Sequence, residues 1–332
     1  MTVLLLLVGF AVILAGALLF TNAVEWLGHR IELGTGAVGS IIAGISTALP
    51  ESVIPVIAII GGKEGSEGVA IGAIIGAPFM LATIAMALVG LSAIAFKRRR
   101  AQGESLDAHR PTLKRDLAFF LLVFAAALAL GAGAPAAVRY ASAPLFVLAY
   151  ALYIAFSIRS SGRVQTEDEL EPLTLDPSPR DPPANRSIAL QLLIGLACIV
   201  GGAYLFVEEL LALSHDLGID PLVLSLLLAP FATELPEKAN SLFWIRDGKD
   251  ALALGNITGA MVFQSTLPVA FGVAFTSWDY DRYAILASAL ALAGGAIAVW
   301  TLQLRRRFTP PAILAWAALF IAFAATVILT AT

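Results

Sequence analysis

The sequence predicts an all-α integral membrane protein, with ten transmembrane helices arranged as two inverted-topology repeats of five. Three observations carry that expectation: an apolar composition, a lopsided distribution of Lys and Arg, and an internal repeat that returns after an odd number of spans. Of 332 residues, 59% are hydrophobic and only 14% charged, against about a quarter charged in a soluble domain. The mean hydropathy is +0.86. At roughly 20 residues per span, little of the chain is left for a soluble domain. The net charge of −3 points to no class of partner.

The first apolar run covers residues 3–23. It lacks the basic stretch that opens a secretion signal, its first charge being Glu25, and reads as a retained span. Further runs at 37–60, 68–95, 117–133 and 136–157 complete a first repeat, taken as residues 1–157. The stretch 158–187 contains "TEDELEPLTLDPSPRDPP". It is rich in proline and acid and has no apolar periodicity, so it reads as a cytoplasmic tether without stable structure. A second repeat, 188–332, holds runs at 188–213, 219–245, 250–275, 283–303 and 311–330. All are expected to be helices, because lipid offers the backbone no hydrogen-bond partners. Trp26, Trp244, Trp278 and Trp300 fall near the ends of runs, where interfacial anchors sit. Cys198, the single cysteine, lies within an apolar run and reads as packing.

Placing the N-terminus outside puts seventeen of the 21 Lys and Arg residues in inward connections and three (Lys63, Arg139, Arg282) in outward ones; Lys238 falls inside a span. That bias supports ten spans with both termini outside, in a multi-pass protein of the plasma (inner) membrane. It also reads "KRRR" at 97–100 as a cytoplasmic anchor, without nucleic acid.

The internal repeat is visible in three paired motifs. "AVEWL" at 23–27 matches "FVEEL" at 206–210, "ISTALPESV" at 45–53 matches "FATELPEKA" at 231–239, and "AIGAIIGA" at 70–77 matches "ALGNITGA" at 253–260. Five spans separate each motif from its copy, so the second copy enters the membrane in the opposite sense. Inverted repeats of this kind build secondary transporters whose substrate site lies near the midplane, where interrupted helices meet.

The second motif carries the chemistry. An ionisable side chain at the bilayer centre costs about 2.5–3.5 kcal/mol even on the lenient insertion scale, so Glu51, Glu234, Glu237 and Lys238 need compensation. Pro50 and Pro236 have no N–H to give the carbonyl four residues back, which frees the oxygens of Ser46 and Ala232. Thr47 and Thr233 precede Glu51 and Glu237 by four residues, placing hydroxyl and carboxylate on one helix face. Carboxylate, hydroxyl and carbonyl oxygens are the ligands of a hard cation. Two such half-sites meeting across the pseudo-symmetry axis make one cage, with Glu51, Glu237 and Glu234 as metal ligands. Glu234 and Lys238 also stand four apart, a spacing that suits a simple ion pair. Gly72 with Gly76, and Gly255 with Gly259, read first as close-packing positions. Asn256 has two readings, a ligand of the cage or an interhelical hydrogen bond.

A Thr-x-Leu-Pro-Glu motif repeated in inverted halves, each followed by a glycine-spaced motif, resembles the sodium/calcium exchanger family of cation/Ca²⁺ antiporters. The resemblance covers nearly the whole chain. It implies ten helices, a central site built from helices 2, 3, 7 and 8, and alternating access by sliding of helices 1 and 6. It also implies Glu51 and Glu237 as central ligands supported by Thr47 and Thr233, and Ca²⁺ exchanged for Na⁺ or H⁺ as transported cations, with no cofactor. Two departures stand out. Ala48 and Glu234 occupy the place where the family has Ser before Leu-Pro-Glu. After the glycine motif "GAPFML" has no polar side chain, with Leu81 where the family places Asn or Asp, while "GAMVFQ" retains only Gln264 there. Fewer oxygens mean fewer sodium sites. With Lys238 paired to Glu234 in space a sodium holds in relatives, proton exchange through a glutamate becomes a realistic coupling reaction beside Na⁺ exchange. Inorganic cations and the lipid bilayer are the expected partners, and the oligomeric state is left open. The competing readings are a membrane-embedded enzyme with a carboxylate site and a relative that transports nothing. His29, His109 and His215 lie in connections or at span ends, which argues against a His-built catalytic centre.

Overall fold

The computed structural model describes residues 1–30, 51–160, 171–176, 183–305 and 307–331; within these, the side chains at 158, 160, 235–240, 303–305, 330 and 331 fall outside the description. The described chain is all-helical: α1 (Thr2–Arg30), α2 (Glu51–Gly61), α3 (Ser66–Ala95), α4 (Arg110–Gly131), α5 (Ala136–Ser160), α6 (Asn185–Leu217), α7 (Pro221–Arg246), α8 (Asp250–Phe275), α9 (Arg282–Arg305) and α10 (Pro310–Ala331). Seven of them, α1, α3, α5, α6, α8, α9 and α10, contain stretches long and apolar enough to cross a membrane. The described part of α2 is shorter, and α4 carries Lys114, Arg115 and Asp116 in its first turns.

Glycine faces set the two closest helix pairs. Along α1 and α6, Gly9 lies against Gly202 and Phe206 while Gly16 lies against Gly195 and Cys198, so the pair is antiparallel. A Cβ at Gly16 would stand 2.7 Å from Cβ of Cys198; the cysteine is packing, as its surroundings in the sequence suggest. Along α3 and α7, Gly68 and Gly72 meet Leu222 and Gly76 meets Leu226 and Pro230, so these two run in the same direction. The backbones approach closely because no Cβ intervenes. The largest core cluster joins α3, α4, α5, α7, α8, α9 and α10 and takes no residue from α1 or α6. The α1/α6 pair instead meets α2, α3 and α7 through an apolar layer that includes Ile13, Phe206, Ile54 and Ala73.

Polar contacts gather the connections at two ends of the bundle. At one end Arg100, fully buried, donates to Asp250 (2.8 Å) and to the carbonyls of Ile245 (2.9 Å) and Ser105 (2.7 Å). Glu104 there pairs with Lys97 and Arg307, and the Lys97 bond holds its carboxyl below the usual range. At the opposite end Arg139 pairs with Asp279, Lys63 with Glu208, and Glu67 accepts from the Ser277 amide.

Three expectations change here. Of the "KRRR" run only the first three residues are exposed; Arg100 is an interior ion pair rather than a lipid-surface anchor. Trp278 is fully buried with its indole N–H on the Ala127 carbonyl (3.3 Å), and Trp26 is buried against Leu173, so neither is an interfacial anchor. The stretch 158–187 is not wholly a loose tether: residues 171–176 are docked on α1 and α6. The tether reading weighed composition and missed a leucine placed to be buried.

Candidate functional site

Glu51 stands at the start of the described part of α2 and is only 7% exposed; Glu234 on α7 is fully buried. Between them lies the amide of Gln264 from α8. Its Nε2 donates to Oε2 of Glu51 and stands 3.4 Å from Oε1 of Glu234. One nitrogen thus touches two carboxylates that come from different halves of the chain. Two carboxylates brought to one point away from water are oxygen ligands of the kind a hard cation takes.

Local structure explains how Gln264 reaches that point. The first section of α8 ends at Gln264 and a second begins at Leu267, with Pro268 in its first turn. Proline fits a helix start because its missing N–H would have no partner there. The break leaves carbonyls without helical partners. Ser265 donates its hydroxyl to Val262 O (3.0 Å), and Thr266 donates to the carbonyls of Val262 and Phe263 (both 2.9 Å). Both residues are completely buried, so the break is satisfied inside the protein, as membrane depth requires.

The other sequence-predicted residues divide clearly. Thr233 is buried and its hydroxyl donates to Ala229 O (3.2 Å), which leaves its oxygen lone pairs as acceptors. Asn256 is half-buried two turns before Gln264 on α8. Gly72 and Gly76 are packing positions; a Cβ on either would collide with the backbone of α7. Gly255 and Gly259 meet no described atom within 4 Å. Thr47 and Pro50 lie outside the described residues. Pro236, Glu237 and Lys238 sit on α7, whose helix continues through them; their side chains, and so the Glu234–Lys238 pair and a full metal cage, lie outside the description. Among the described residues no three His, Cys, Asp or Glu side chains stand close enough to hold a metal ion.

The sequence reading passed over Asp116. It is buried on α4, accepting from Thr258 of α8 (2.9 Å), from Tyr153 of α5 and from Arg115 (3.3 Å). This network braces the helix that carries Gln264. The only sequence signal was an aspartate beside an apolar run, masked by the neighbouring Lys114 and Arg115.

Comparison with known proteins gives consistent matches. A family model described as "Sodium/calcium exchanger protein" matches residues 1–159 and 187–329. Relatives include CaxA of Alkalimonas amylolytica, 24% identical over 302 residues (86% of each chain), and the inner membrane protein YrbG of Escherichia coli K12, 24% identical over 285 residues (84% of this chain, 82% of that one). Among solved structures, the H⁺/Ca²⁺ exchanger CAX superposes with a TM-score of 0.76 at 21% identity, over 98% of this chain and 82% of that one. The sodium-calcium exchanger NCX_Mj superposes at 0.60 and 19%, over 98% and 99%.

Proposed function

We infer the function from one premise: the chain belongs to the sodium/calcium exchanger protein family. It is a membrane-embedded cation/Ca²⁺ antiporter. Beyond that, we propose that Ca²⁺ is taken at the Glu51–Glu234–Gln264 centre and exchanged for protons. The observation that carries this is the single amide shared by two buried carboxylates from opposite halves. Two carboxylates suit a divalent ion or two protons equally in charge, so swapping one for the other leaves the centre neutral. Leu81 offers no side-chain oxygen from α3 at the place matching Gln264, and the nearby Thr83 hydroxyl is given to Phe79 O, which disfavours the extra sites that several sodium ions need. The structural likeness to an H⁺/Ca²⁺ exchanger is in line with the proton reading.

In this proposal Glu237 and Glu51 are the symmetry-related ligands, Glu234 is a third carboxylate, and Thr47, Thr233, Asn256 and Gln264 supply neutral oxygens, with Lys238 tuning the charge and Pro50 and Pro236 opening the helices. The scaffold is ten spans in two inverted repeats, 1–157 and 188–332, joined by 158–187. Support comes from antiparallel α1 and α6, from parallel α3 and α7, and from connections that alternate between the two ends of the bundle. The Arg-rich end is placed in the cytoplasm by its charge, with both termini on the far side of the inner membrane.

The test is Ca²⁺ uptake into vesicles reconstituted with purified protein, driven separately by a pH gradient and by a Na⁺ gradient. The pH gradient alone is expected to drive uptake, and Glu51→Gln or Glu234→Gln to abolish it. Uptake that needs Na⁺ and ignores pH would refute the proton reading and leave the antiporter assignment standing.

A further inference from the structure

The segment between the two halves contains a docked piece whose place on the molecule assigns it a task. Residues 171–176 fold into a short turn closed by Asp176 N on Leu173 O (3.1 Å). Its backbone is held by side chains of two apolar helices. Trp26 of α1 donates to Glu171 O (2.9 Å), the Asn22 carbonyl accepts from Thr174 N (3.1 Å), and the Gln191 carbonyl of α6 accepts from Leu175 N (2.8 Å). Gln191 also ties the helices to one another, donating to Leu19 O (3.0 Å) and to Asn22 Oδ1 (2.8 Å). Leu173 is 1% exposed, closed in by Trp26 and Ile188. At the far edge Ser187 donates to Asp176 (2.5 Å).

Gln191 is wholly buried and is the one polar side chain in the stretch 188–203 of α6. A buried amide without partners is costly; the docked segment and α1 supply them. Asn22 and Gln191 therefore act as a polar seam that exists to receive this segment. Its described hydrogen bonds outside its own turn, and its leucine, go to α1 and α6 alone. That pair meets the rest of the bundle through an apolar layer and one exposed ion pair, Lys63 with Glu208; apolar contacts fix register weakly compared with hydrogen bonds, which suits small sliding of packed helices. The segment spans the two members of the pair and not the layer beneath them. Nothing in a movement of the pair against the core requires it to leave.

We propose that residues 171–176 are a rivet that joins the ends of α1 and α6 throughout the transport cycle, with Asn22, Trp26 and Gln191 as positioning residues that make the pair move as one body. Only the transport arm of the test rests on the antiport reading. Leu173→Cys in a Cys198→Ala background gives a single thiol. Its labelling by a water-soluble maleimide is expected to be at least ten-fold slower than when Asn22→Ala and Gln191→Ala are added, and unaffected by Ca²⁺ or a pH gradient. Equal rates with and without the seam, or a rate that rises during turnover, would overturn the rivet. In transport, Asn22→Ala with Gln191→Ala is expected to lower the maximal rate five-fold or more while the half-saturating Ca²⁺ stays within two-fold, because the ion site is untouched. Leu173→Asp, outside the membrane helices, is expected to do the same and covers the case in which the amide variant does not insert. An unchanged maximal rate in Leu173→Asp would also overturn the proposal. Absence of Ca²⁺ transport in the unaltered protein would instead overturn the antiport reading, with the labelling arm still deciding the rivet.

Discussion

Residues 78–85 of α3 and 261–268 of α8 occupy the same register of the two repeats, counted from their glycine motifs, and they solve one problem in two ways. Both depart from a regular α-helix. In α3 the ladder widens into a π-turn at Leu81–Ala85 after an internal proline; in α8 it breaks at Ser265–Thr266 before Pro268. A threonine repairs each: Thr83 donates to Phe79 O (2.6 Å) and Thr266 to Val262 O (2.9 Å). The position that differs is the one between. Leu81 is buried in apolar surroundings beside Phe79, whose ring packs on Phe320 and Phe323. Gln264 at the matching place bridges Glu51 and Glu234. The backbone irregularity belongs to the scaffold, and one side chain decides which of the two helices, α3 or α8, reaches the carboxylates.

The sharpest way to break that comparison is to make the second half like the first. Gln264→Leu removes the donor shared by two buried carboxylates; a hydrogen bond to a charged group is worth about 1.5–3 kcal/mol, and losing both is expected to lower Ca²⁺ uptake about 100-fold or more. Uptake within a few-fold of the unaltered protein would show that the amide is incidental. The brace behind it is expected to come next. Thr258→Val deprives Asp116 of one of its donors and should lower the unfolding midpoint in detergent by the equivalent of about 1–3 kcal/mol. Its effect on uptake should be smaller than that of Gln264→Leu.

The glycine motifs sharpen the comparison differently. Gly72→Ala forces a methyl into the α7 backbone at Leu222 and is expected to cost about 1–3 kcal/mol by overpacking. Gly255→Ala meets nothing among the described residues and is expected to be nearly neutral against them. A cost equal to that of Gly72→Ala would show that Gly255 is a close-packing position as Gly72 is. Thermal unfolding of both variants decides it.

Much of this was legible in the sequence, because membrane helices announce themselves by composition and the paired motifs by repetition. Glu51, Glu234 and Gln264 stood out as polar residues in apolar runs, where each has a cost to explain. What escaped was of two kinds. Asp116 sat beside basic residues at a helix start, where an aspartate looks solvated; only the fold brings Thr258 and Tyr153 to it. Leu173 was hidden in a proline- and acid-rich stretch, and its burial depends on Trp26 and Ile188, distant along the chain. Gln191 carried a signal, a lone amide in an apolar run, but two of its three partners are backbone atoms, of Leu19 and Leu175, that no motif encodes.

The smallest expected effect tests whether the two irregular turns are the same device. Thr83 and Thr266 each return a hydrogen bond to a carbonyl near the departure from α-geometry, and both are completely buried. Replacing either by valine keeps the shape and deletes the donor, so each should cost about 1 kcal/mol in the unfolding midpoint. The two should separate in transport. Thr83→Val acts on a turn with no ion-facing side chain at the position before it, so uptake should hold. Thr266→Val loosens the break two residues after Gln264 and should raise the half-saturating Ca²⁺ a few-fold. Equal transport effects would mean that α3 takes part in the ion site despite its apolar face, because the hydroxyls would then be serving the ion rather than the fold.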